Sequence, residues 1–342
     1  MNLSCPIEHH HGDTILQAHG GGGRLMAELI QSVFAEAFVG LGLQADADSA
    51  ALDIAGPVAF TTDSFVVKPI FFPGGDIGRL AVFGTVNDLA MRGATPQAIS
   101  LGLILEEGLP MAKLRRIIES IATAAREADV QIVTGDTKVV ERGKCDGIYI
   151  NTSGIGPLNH GSDIHPRSVR PGDALILSGD LGRHATAVMA SREGIAFETN
   201  IESDLCSLAA PIAAVLASDV EVHCLRDLTR GGLASAANEI ANSANCSLSL
   251  NAQAIPVTDA VRGASELLGL DPLYLANEGR FLAIVAPESA DSAICELRNA
   301  GCEACLIGTV NESPRGIVTL TSELGATRVL DLLRGEQLPR IC

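Results

Sequence analysis

AISLGLILEEGLPMAKLRRIIESIATAAREADVQIVTGD, residues 98–136, decides the fold because it holds a strand, a helix and a second strand in direct succession. Residues 98–105 are almost all apolar, which is typical of a buried strand. Pro110 stands where proline favours the first turn of a helix, which we predict to run to about Ala128. Residues 130–134 form the next strand and lead into Gly135-Asp136. This order favours a sheet covered by helices.

The same alternation continues through the rest of the chain. In the first half we predict strands at residues 58–62 and 147–154 and a helix at 78–93. Residues 159–172 contain two prolines and two glycines, and this makes them the best domain boundary. In the second half we predict strands at 174–178, 281–286 and 304–310 and helices at 184–192, 209–217, 232–244 and 288–300. The prediction is an α+β protein with α/β layers, divided into residues 1–158, residues 159–332 and a tail, residues 333–342.

Composition limits the partners and the compartment. Hydrophobic residues make up 47% of the 342 residues, but only 3% are aromatic, so Ala, Val, Ile and Leu must build the core. The formal charge of −17 repels nucleic acid and anionic membranes, and we expect neither as a partner. The first residues do not resemble a signal peptide, and there is no apolar run of 18 residues that would span a membrane. Nine scattered cysteines favour a reducing, cytoplasmic setting.

Two short motifs allow metal chemistry but favour simpler interpretations. Cys302 and Cys305 have C-x-x-C spacing, yet no second pair completes a tetrahedral zinc site. Metal or redox use of this pair remains a minor alternative. The histidines at 9–11 are interpreted as part of a solvated terminus.

Acidic residues follow strands or glycine turns at several points. They are Asp63, Asp88 (after Asn87), Asp136, Asp227 and Glu278. Taken singly, each is more simply explained as closing a turn, capping a helix or facing solvent. If several converge, their mutual repulsion requires a hard cation, and Mg²⁺ with oxygen ligands commonly carries substrate phosphates.

Two glycine segments are candidates for phosphate binding. The run Gly20–Gly23 precedes Arg24 and exposes backbone N–H groups, although it lacks the Lys-Ser/Thr of a Walker A loop. Gly231-Gly232 precedes a predicted helix, whose N-terminus favours anions. Neither signal is specific alone, and no G-x-G-x-x-G motif supports a dinucleotide site.

The sequence finishes on a thiol, in Pro339-Arg340-Ile341-Cys342. A terminal segment is poorly suited to a packed core, so we expect a mobile tail that carries Cys342 from one site to another. Eight extended residues reach roughly 26 Å. In an extended tail Arg340 lies on the same side as Cys342 and offsets the neighbouring carboxylate, while Leu338 and Ile341 serve as apolar anchors. The alternative is an accidental terminal cysteine.

Taken together, several motifs resemble one family. They are the glycine run, TTDSFVV (61–67), NDLAMRGA (87–94), VTGDTKVV (133–140), DLTRGG (227–232), NEGR (277–280) and the final PRIC. They resemble the HypE family of hydrogenase maturation factors, which are carbamoyl dehydratases of the aminoimidazole ribonucleotide synthetase superfamily. The resemblance covers essentially the whole chain, and the terminal PRIC is its most specific element.

The resemblance implies a two-domain aminoimidazole ribonucleotide synthetase-like fold and a homodimer joined through about residues 16–156. It also implies that ATP and Mg²⁺ are bound and that the carbamoyltransferase HypF places a carboxamide on Cys342. ATP then drives dehydration of this group to a thiocyanate, and the cyano group passes to iron on a HypC–HypD scaffold for the [NiFe]-hydrogenase centre.

The resemblance and the residue chemistry together assign the site. The predicted catalytic residues are Cys342, Lys138 as cation or proton acceptor, and Glu278 as base or orienting group. A Lys138–Glu278 ion pair is the plain alternative for the last two. The predicted ATP-binding residues are Gly21, Gly22, Gly23, Asp63, Lys68, Asn87, Asp88, Asp136, Thr137, Gly231 and Gly232. The predicted metal ligands are Asp63, Asp88, Asp136 and Asp227.

Two other functions remain open at this point. A selenophosphate synthetase-like enzyme of the same superfamily would act on a free small molecule without the terminal thiol. A thiol carrier that is not an enzyme would hold a group on Cys342 without ATP chemistry. ATP hydrolysis that depends on carbamoylated Cys342 separates all three.

Overall fold

The computed structural model describes residues 13–44, 49–194, 200–313, 316–332 and 340–342. The predictions about the histidines at 9–11 and about Leu338 fall outside these residues. The helices are α1 (Arg24–Leu29, continued by a π turn to Ala35), α2 (Ile77–Met91), α3 (Met111–Glu127), α4 (Arg183–Glu193), α5 (Ala209–Leu216), α6 (Gly232–Ala244), α7 (Asp259–Leu268) and α8 (Ala290–Asn299). The strands are β1 (Val58–Phe65), β2 (Phe71–Phe72), β3 (Gly75–Asp76), β4 (Ala98–Glu106), β5 (Gln131–Val140), β6 (Ile148–Pro157), β7 (Ala174–Leu177), β8 (Val222–Asp227), β9 (Ser247–Asn251), β10 (Phe281–Val285), β11 (Cys305–Asn311), β12 (Val318–Thr321) and β13 (Thr327–Val329).

The predicted strand–helix–strand unit forms the centre of the first sheet. β4 and β5 are parallel neighbours, and α3 connects them. β6 and β1 complete the sheet in the order β1-β6-β4-β5, with antiparallel pairing. α3 covers one face because Leu114, Ile117 and Ile121 lie on one side of the helix and are fully buried.

α2 is apolar on nearly all sides because it packs between the two halves of the chain. It contacts β1, β6 and α3 in the first half and α5 and β8 in the second. The polar pair inside this helix is therefore not a solvent-facing interruption, and Asn87 is only 4% exposed.

The other face of the first sheet exposes apolar side chains in the described part of the chain. Phe60 on β1 is 68% exposed, and Ile104 on β4 is 42% exposed. The strand register places Asp136 and Lys138 of β5 on this same face. We call it the open face. β1 and β5 are the edge strands of the sheet.

The second sheet has seven strands, in the order β13-β12-β9-β11-β7-β10-β8. Both of its faces are covered, as β7 shows. Leu175 and Leu177 pack into the core beneath α6, while Ala174 and Ile176 pack into the core beneath α5 and α8. A strand buried on both faces is expected to be continuously apolar.

The core of the first half extends into the second. Val188 of α4 and Val261 of α7 belong to the same apolar cluster as Leu80 and Ile117. The two sheets therefore share a packed boundary, and it is at this boundary that the functional residues meet.

Candidate active site

Three of the predicted carboxylates gather where β1, α2 and β8 meet. Burial and the nearby Asp227 and Asp63 raise the pKa of Asp88 to about 6. Burial also raises the pKa of Asp63, and Arg230 and Asp227 act on it as well. Thr61 donates a hydrogen bond of 2.8 Å to Asp88. The repulsion among these groups is the electrostatic signature of a site built for cationic ligands.

Glu278 is the most perturbed acid of this group. It is 3% exposed, and its Oε1 has no hydrogen-bond partner among the described residues. Burial raises its pKa well above the usual range, and Asp204, Asp227 and Asp63 add to the effect. A buried carboxyl with a high pKa next to other acids is characteristic of general acid–base groups.

Two buried residues hold the backbone at Glu278. The carboxylate of Asp204 accepts hydrogen bonds from the N–H groups of Glu278 (3.2 Å) and Gly279 (3.0 Å). The amide of Asn87 donates to the carbonyls of Glu278 (3.3 Å) and Cys206 (3.0 Å), and it accepts from Leu208 N–H at 2.7 Å. In this structure Asn87 positions Glu278, and its predicted contact with ATP stays a prediction.

The final three residues are docked against the site. Ile341 is 4% exposed, and Cys342 packs against the core of the first half. Burial raises the pKa of the Cys342 thiol, and the next largest effect comes from Glu278, followed by Arg230 and Asp63. The sulfur therefore lies within electrostatic reach of Glu278 and the acidic group. The expectation that a terminal thiol is poorly placed for packing is wrong for this conformation, because Ile341 buries its side chain.

The expected geometry of Arg340 is also wrong. Its φ of 58° is not extended, and its guanidinium pairs with Asp146 at 2.6 Å. Lys68 pairs with the same carboxylate at 3.0 Å. In this structure Lys68 belongs to the environment of the tail, and its predicted role in ATP binding stays a prediction.

Asp136 and Lys138 lie apart from this group. The Lys138 ammonium forms an ion pair with the Asp136 carboxylate at 3.2 Å. It therefore does not form the alternative ion pair with Glu278. Three strand spacings, about 14 Å, separate Asp63 on β1 from Asp136 on β5. The four predicted metal ligands thus do not converge within one chain. Among the described residues no three His, Cys, Asp or Glu side chains are grouped to hold a metal.

The glycine run lies beside β5. A Cβ on Gly20 would meet Val139 N at 2.6 Å, whereas Gly22 and Gly23 have nothing within 4 Å of the Cβ position. α1 follows directly, and a cavity of about 110 Å³ lies between it and the Asp136-Thr137 segment. Gly21, Gly22, Gly23 and Thr137 therefore share one edge of the sheet.

Gly231 and Gly232 have a backbone role of their own. Both have positive φ, of 75° and 57°, at the start of α6. A Cβ on Gly232 would lie 2.6 Å from the carbonyl oxygen of Leu275. Their predicted contact with ATP is untested.

The C-x-x-C pair is not a site in this structure. Cys302 packs with the core beneath α5 and α8, whereas Cys305 packs on the opposite face of the sheet and its thiol donates to Ala254 O at 3.4 Å. Each cysteine of the described residues is a free thiol. The minor alternative of a shared metal or redox role for this pair is therefore not supported.

Sequence reasoning missed Asp204, His184, Asp146 and Arg192. The residues at Glu278 and in the tail that they contact lie 74 to 194 positions away, and none of the four belongs to a motif that sequence inspection isolates. Only folding brings them to Glu278 and the tail.

Family comparisons identify the class of protein. The N-terminal domain model of AIR synthase related proteins matches residues 46–158, and the C-terminal domain model matches residues 170–321. The chain is thus an AIR synthase related protein with the two-domain fold that the resemblance implied.

Closer relatives narrow the family. The carbamoyl dehydratase HypE of Azotobacter vinelandii is 48% identical over 332 residues, which cover 96% of this chain and 97% of that protein. A crystal structure of the hydrogenase maturation protein HypE in complex with ATP matches with a TM-score of 0.92 and 44% identity, covering 96% of this chain and 100% of that one. A crystal structure of a HypE–HypF complex matches with a TM-score of 0.78 and 41% identity, covering 91% and 100%. The chain belongs to the HypE family of carbamoyl dehydratases, and the predicted family and fold class are confirmed.

Within the described residues, no helix combines the length and the apolar character that crossing a bilayer requires.

Proposed function

We propose that this protein dehydrates a carbamoyl group on Cys342 to a thiocyanate at the expense of ATP. The observation that carries the proposal is the position of the Cys342 sulfur beside Glu278 and the acidic group formed by Asp63, Asp88 and Asp227. The HypE relative that was crystallised with ATP supports nucleotide binding. A cytoplasmic location is part of the same proposal.

The chemistry requires both phosphate and proton transfer. The carboxamide oxygen on the sulfur attacks the γ-phosphate of ATP, which releases ADP and turns a poor leaving group into phosphate. Loss of two N–H protons and departure of phosphate then leave S–C≡N. Glu278, in its ionised form, is placed to accept a proton next to the sulfur, and the nearby Arg230 is positioned to balance charge.

The residues fit a divalent cation. Asp63, Asp88 and Asp227 supply oxygen ligands of the type Mg²⁺ prefers, and burial together with the charge of Asp227 raises the pKa of both Asp63 and Asp88, so a cation beside them would favour their ionised forms. Mg²⁺ would neutralise the charge of the nucleotide phosphates. Asp136 lies at the opposite edge of the sheet. We therefore propose that the Asp136 of a second copy of the chain completes the site.

A homodimer supplies that second copy. The open face exposes Phe60 and Ile104, and β1 and β5 are the edge strands, although residues 41–44 already pair with the start of β5 at Ile132 and Val133. If the sheets of two copies join along these edges and close around their open faces, both the exposed side chains and the strand edges are buried. This closure also brings β5 of one copy, with Asp136, Thr137, Lys138 and the glycine run, next to β1 of the other. ATP would then bind near the interface.

Two partner proteins belong to the proposal. The HypE–HypF complex supports HypF as the enzyme that loads Cys342. A HypC–HypD scaffold is proposed as the acceptor of the cyano group, on the family resemblance alone. The domain limits, 1–158 and 159–332 with the tail at 333–342, also stay a proposal.

Intact mass tests the function directly. Protein loaded with carbamoyl phosphate and HypF should gain one carbamoyl group and lose about 18 Da after ATP is added, which is the mass of one water. Cys342→Ala should fold and bind ATP but acquire neither change. Glu278→Gln, which is isosteric, should gain the carbamoyl group and retain it in the presence of ATP.

Other outcomes would favour the alternatives. ATP turnover by Cys342→Ala equal to that of the unaltered protein would indicate a synthetase acting on a free small molecule. Carbamoylation without any ATP-dependent loss of mass would indicate a carrier. Both modifications on Cys342→Ala would show that another cysteine is the acceptor.

A further inference from the structure

The turn between β8 and α6 carries Arg230 beside the segment that holds Glu278. Leu228 N–H donates to the Arg280 carbonyl at 3.1 Å. The Leu228 carbonyl accepts from the backbone N–H of Asn277 at 2.9 Å and from its side-chain amide at 3.0 Å. Asn277 and Arg280 stand on either side of Glu278 in the chain, so the backbone just before Arg230 is fixed relative to Glu278.

Two glycines fix the backbone just after Arg230. Gly231 has a φ of 75°, and a Cβ at this position would overlap the Ser235 hydroxyl. Gly232 has a φ of 57°, which other residues rarely adopt. The glycine pair therefore sets the direction in which the chain leaves Arg230.

The Arg230 side chain is available to a ligand. It is exposed, and it forms no hydrogen bond or ion pair with any residue in the described parts of the chain. The neighbouring arginines differ, since Arg226 is paired with Glu239 and Arg280 is paired with Asp180 at 2.6 Å. A guanidinium carries five N–H donors and no acceptor, so an anion is the ligand that it suits.

Two groups of the site respond to the charge of Arg230. Burial raises the pKa of the Cys342 thiol and of the Asp63 carboxyl, and Arg230 opposes the rise at both groups. The guanidinium is thus within electrostatic reach of the sulfur and of a proposed Mg²⁺ ligand. Lys138, the other predicted cation, lies on the opposite edge strand of the same chain.

We propose that Arg230 is a catalytic residue that binds the phosphoryl group as it passes from ATP to the carboxamide oxygen on Cys342. The inference rests on the proposed function and adds a residue to it. A guanidinium offers two parallel N–H donors to phosphate oxygens. Its charge also offsets the charge that the transferring group spreads over its oxygens.

The transfer is one exchange of bonds at phosphorus. The carboxamide oxygen bonds to the γ-phosphorus, and the bond from this phosphorus to ADP breaks with its electron pair left on ADP. One N–H proton passes to a base, which gives the imidate S–C(=NH)–O–phosphate. The C–O bond then breaks with its electron pair on phosphate, the second N–H proton leaves, and S–C≡N remains.

The rate of the ATP-dependent mass loss measures the role of Arg230. Carbamoylated protein is mixed with ATP, and intact mass gives the rate at which one water is lost. Arg230→Met should slow this rate by about 10³-fold or more, the usual effect of removing an arginine from the transferring group. Arg230→Lys keeps the charge without the fork of donors, so its rate should lie between the two. Arg226→Met is the matched control, because Arg226 is already paired, and its rate should not change.

A transition-state analogue tests the same contact without turnover. ADP with aluminium fluoride mimics the transferring phosphoryl group, and calorimetric titration compares its affinity with that of AMP-PNP, which is not hydrolysed. Arg230→Met should weaken the binding of ADP–aluminium fluoride at least about tenfold more than the binding of AMP-PNP, because the contact is strongest in the transition state. Equal losses for the two ligands would overturn the inference.

Three further outcomes are decisive. An unchanged rate in Arg230→Met, or equal slowing by Arg226→Met, would show that Arg230 does not act on the phosphoryl group. Accumulation of a species heavier by one phosphoryl group would place Arg230 after the transfer and would also overturn the inference. The absence of mass loss in the unaltered protein would count against the proposed function instead, and the titration would still decide the role of Arg230.

Discussion

At the scale of single residues, burial and mutual repulsion oppose the charges of the carboxylates in the site. Asp88 has a pKa of about 6, which is above the ordinary aspartate value, because burial and Asp227 oppose its charge. The folded state therefore holds this proton more tightly than the unfolded state. Stability from this group is present at low pH and is lost as pH rises from about 4 to about 6.

We expect Asp88→Asn to stabilise the protein in the absence of metal and nucleotide. Above pH 7 the gain in the free energy of unfolding should reach up to about 3 kcal/mol, which is two pKa units of penalty removed. The gain should vanish below about pH 3, where Asp88 is protonated in both states. Urea denaturation at the two pH values measures it.

Asp53→Asn is the matched control, because Asp53 is exposed and should show no effect at either pH. A destabilised Asp88→Asn at pH 8 would show that this carboxylate is compensated by neighbours and is not held for a cation. The same variant should lose ATP turnover, so the gain in stability and the loss of function appear together.

Residue chemistry made part of this site predictable. Asp63 and Asp227 stand out as acids at strand ends or turns, Asp88 as a charge inside an apolar helix and Glu278 as an acid just before a strand, and the structure gathers them. The position of Asp136 could not be foreseen, since the strand order that places β1 and β5 at opposite edges is not visible in local sequence. Asp204, which holds Glu278, has no local signal at all.

At the scale of elements, the glycines divide into two kinds. Gly232 begins α6 with a positive φ and a carbonyl oxygen at 2.6 Å from its Cβ position. Gly23 precedes α1 with φ of −95° and open space around it. The first glycine is required by the backbone, and the second is not.

Gly232→Ala should therefore destabilise the protein by about 2 kcal/mol or more, through backbone strain and the close carbonyl. Gly23→Ala should change stability by less than about 0.5 kcal/mol. If the glycine run covers the nucleotide phosphates, Gly23→Ala should still weaken ATP binding, because a methyl group blocks close approach. Urea denaturation and calorimetric titration separate the two effects. Equal ATP affinity in Gly23→Ala and the unaltered protein would remove the run from the site.

Periodicity predicted most elements and failed at the tail. The helix expected at 78–93 spans Ile77–Met91, and the one expected at 232–244 spans Gly232–Ala244. Short strands such as β8 and β12 were missed, because their apolar character is too brief to separate them from loops. Ile341 was expected to anchor the tail and is 4% exposed, but its partner His184 lies 157 positions away and could not be foreseen from local sequence.

At the scale of the whole molecule, the open face points to assembly. Phe60, on the edge strand β1, is 68% exposed, and Leu324, which is 96% exposed, provides a comparison on the second half of the chain. Phe60→Asp should yield a monomer by light scattering at micromolar concentration, because a charge in a buried dimer face is costly. Leu324→Asp should remain a dimer. A monomeric mass for the unaltered protein, with and without nucleotide, would contradict the dimer itself.

In a dimer of this form, each active site contains residues from both copies of the chain. Lys138 lies on the edge strand β5, and Glu278 lies near β1. Within one chain they are therefore at opposite edges of the sheet. In the dimer, Lys138 of one copy should act with Glu278 of the other. Lys138→Met and Glu278→Gln should each be inactive alone.

Mixing the two inactive variants tests the arrangement. Random exchange of subunits makes half of the dimers mixed, and a two-fold axis gives each mixed dimer one site with both changes and one with neither. Activity should recover to about one quarter of that of the unaltered protein. Mixing with a variant that also carries Phe60→Asp should recover nothing, since that chain cannot pair. If Lys138 and Glu278 act within a single chain, each mixed dimer has one change in each site, and mixing restores no activity.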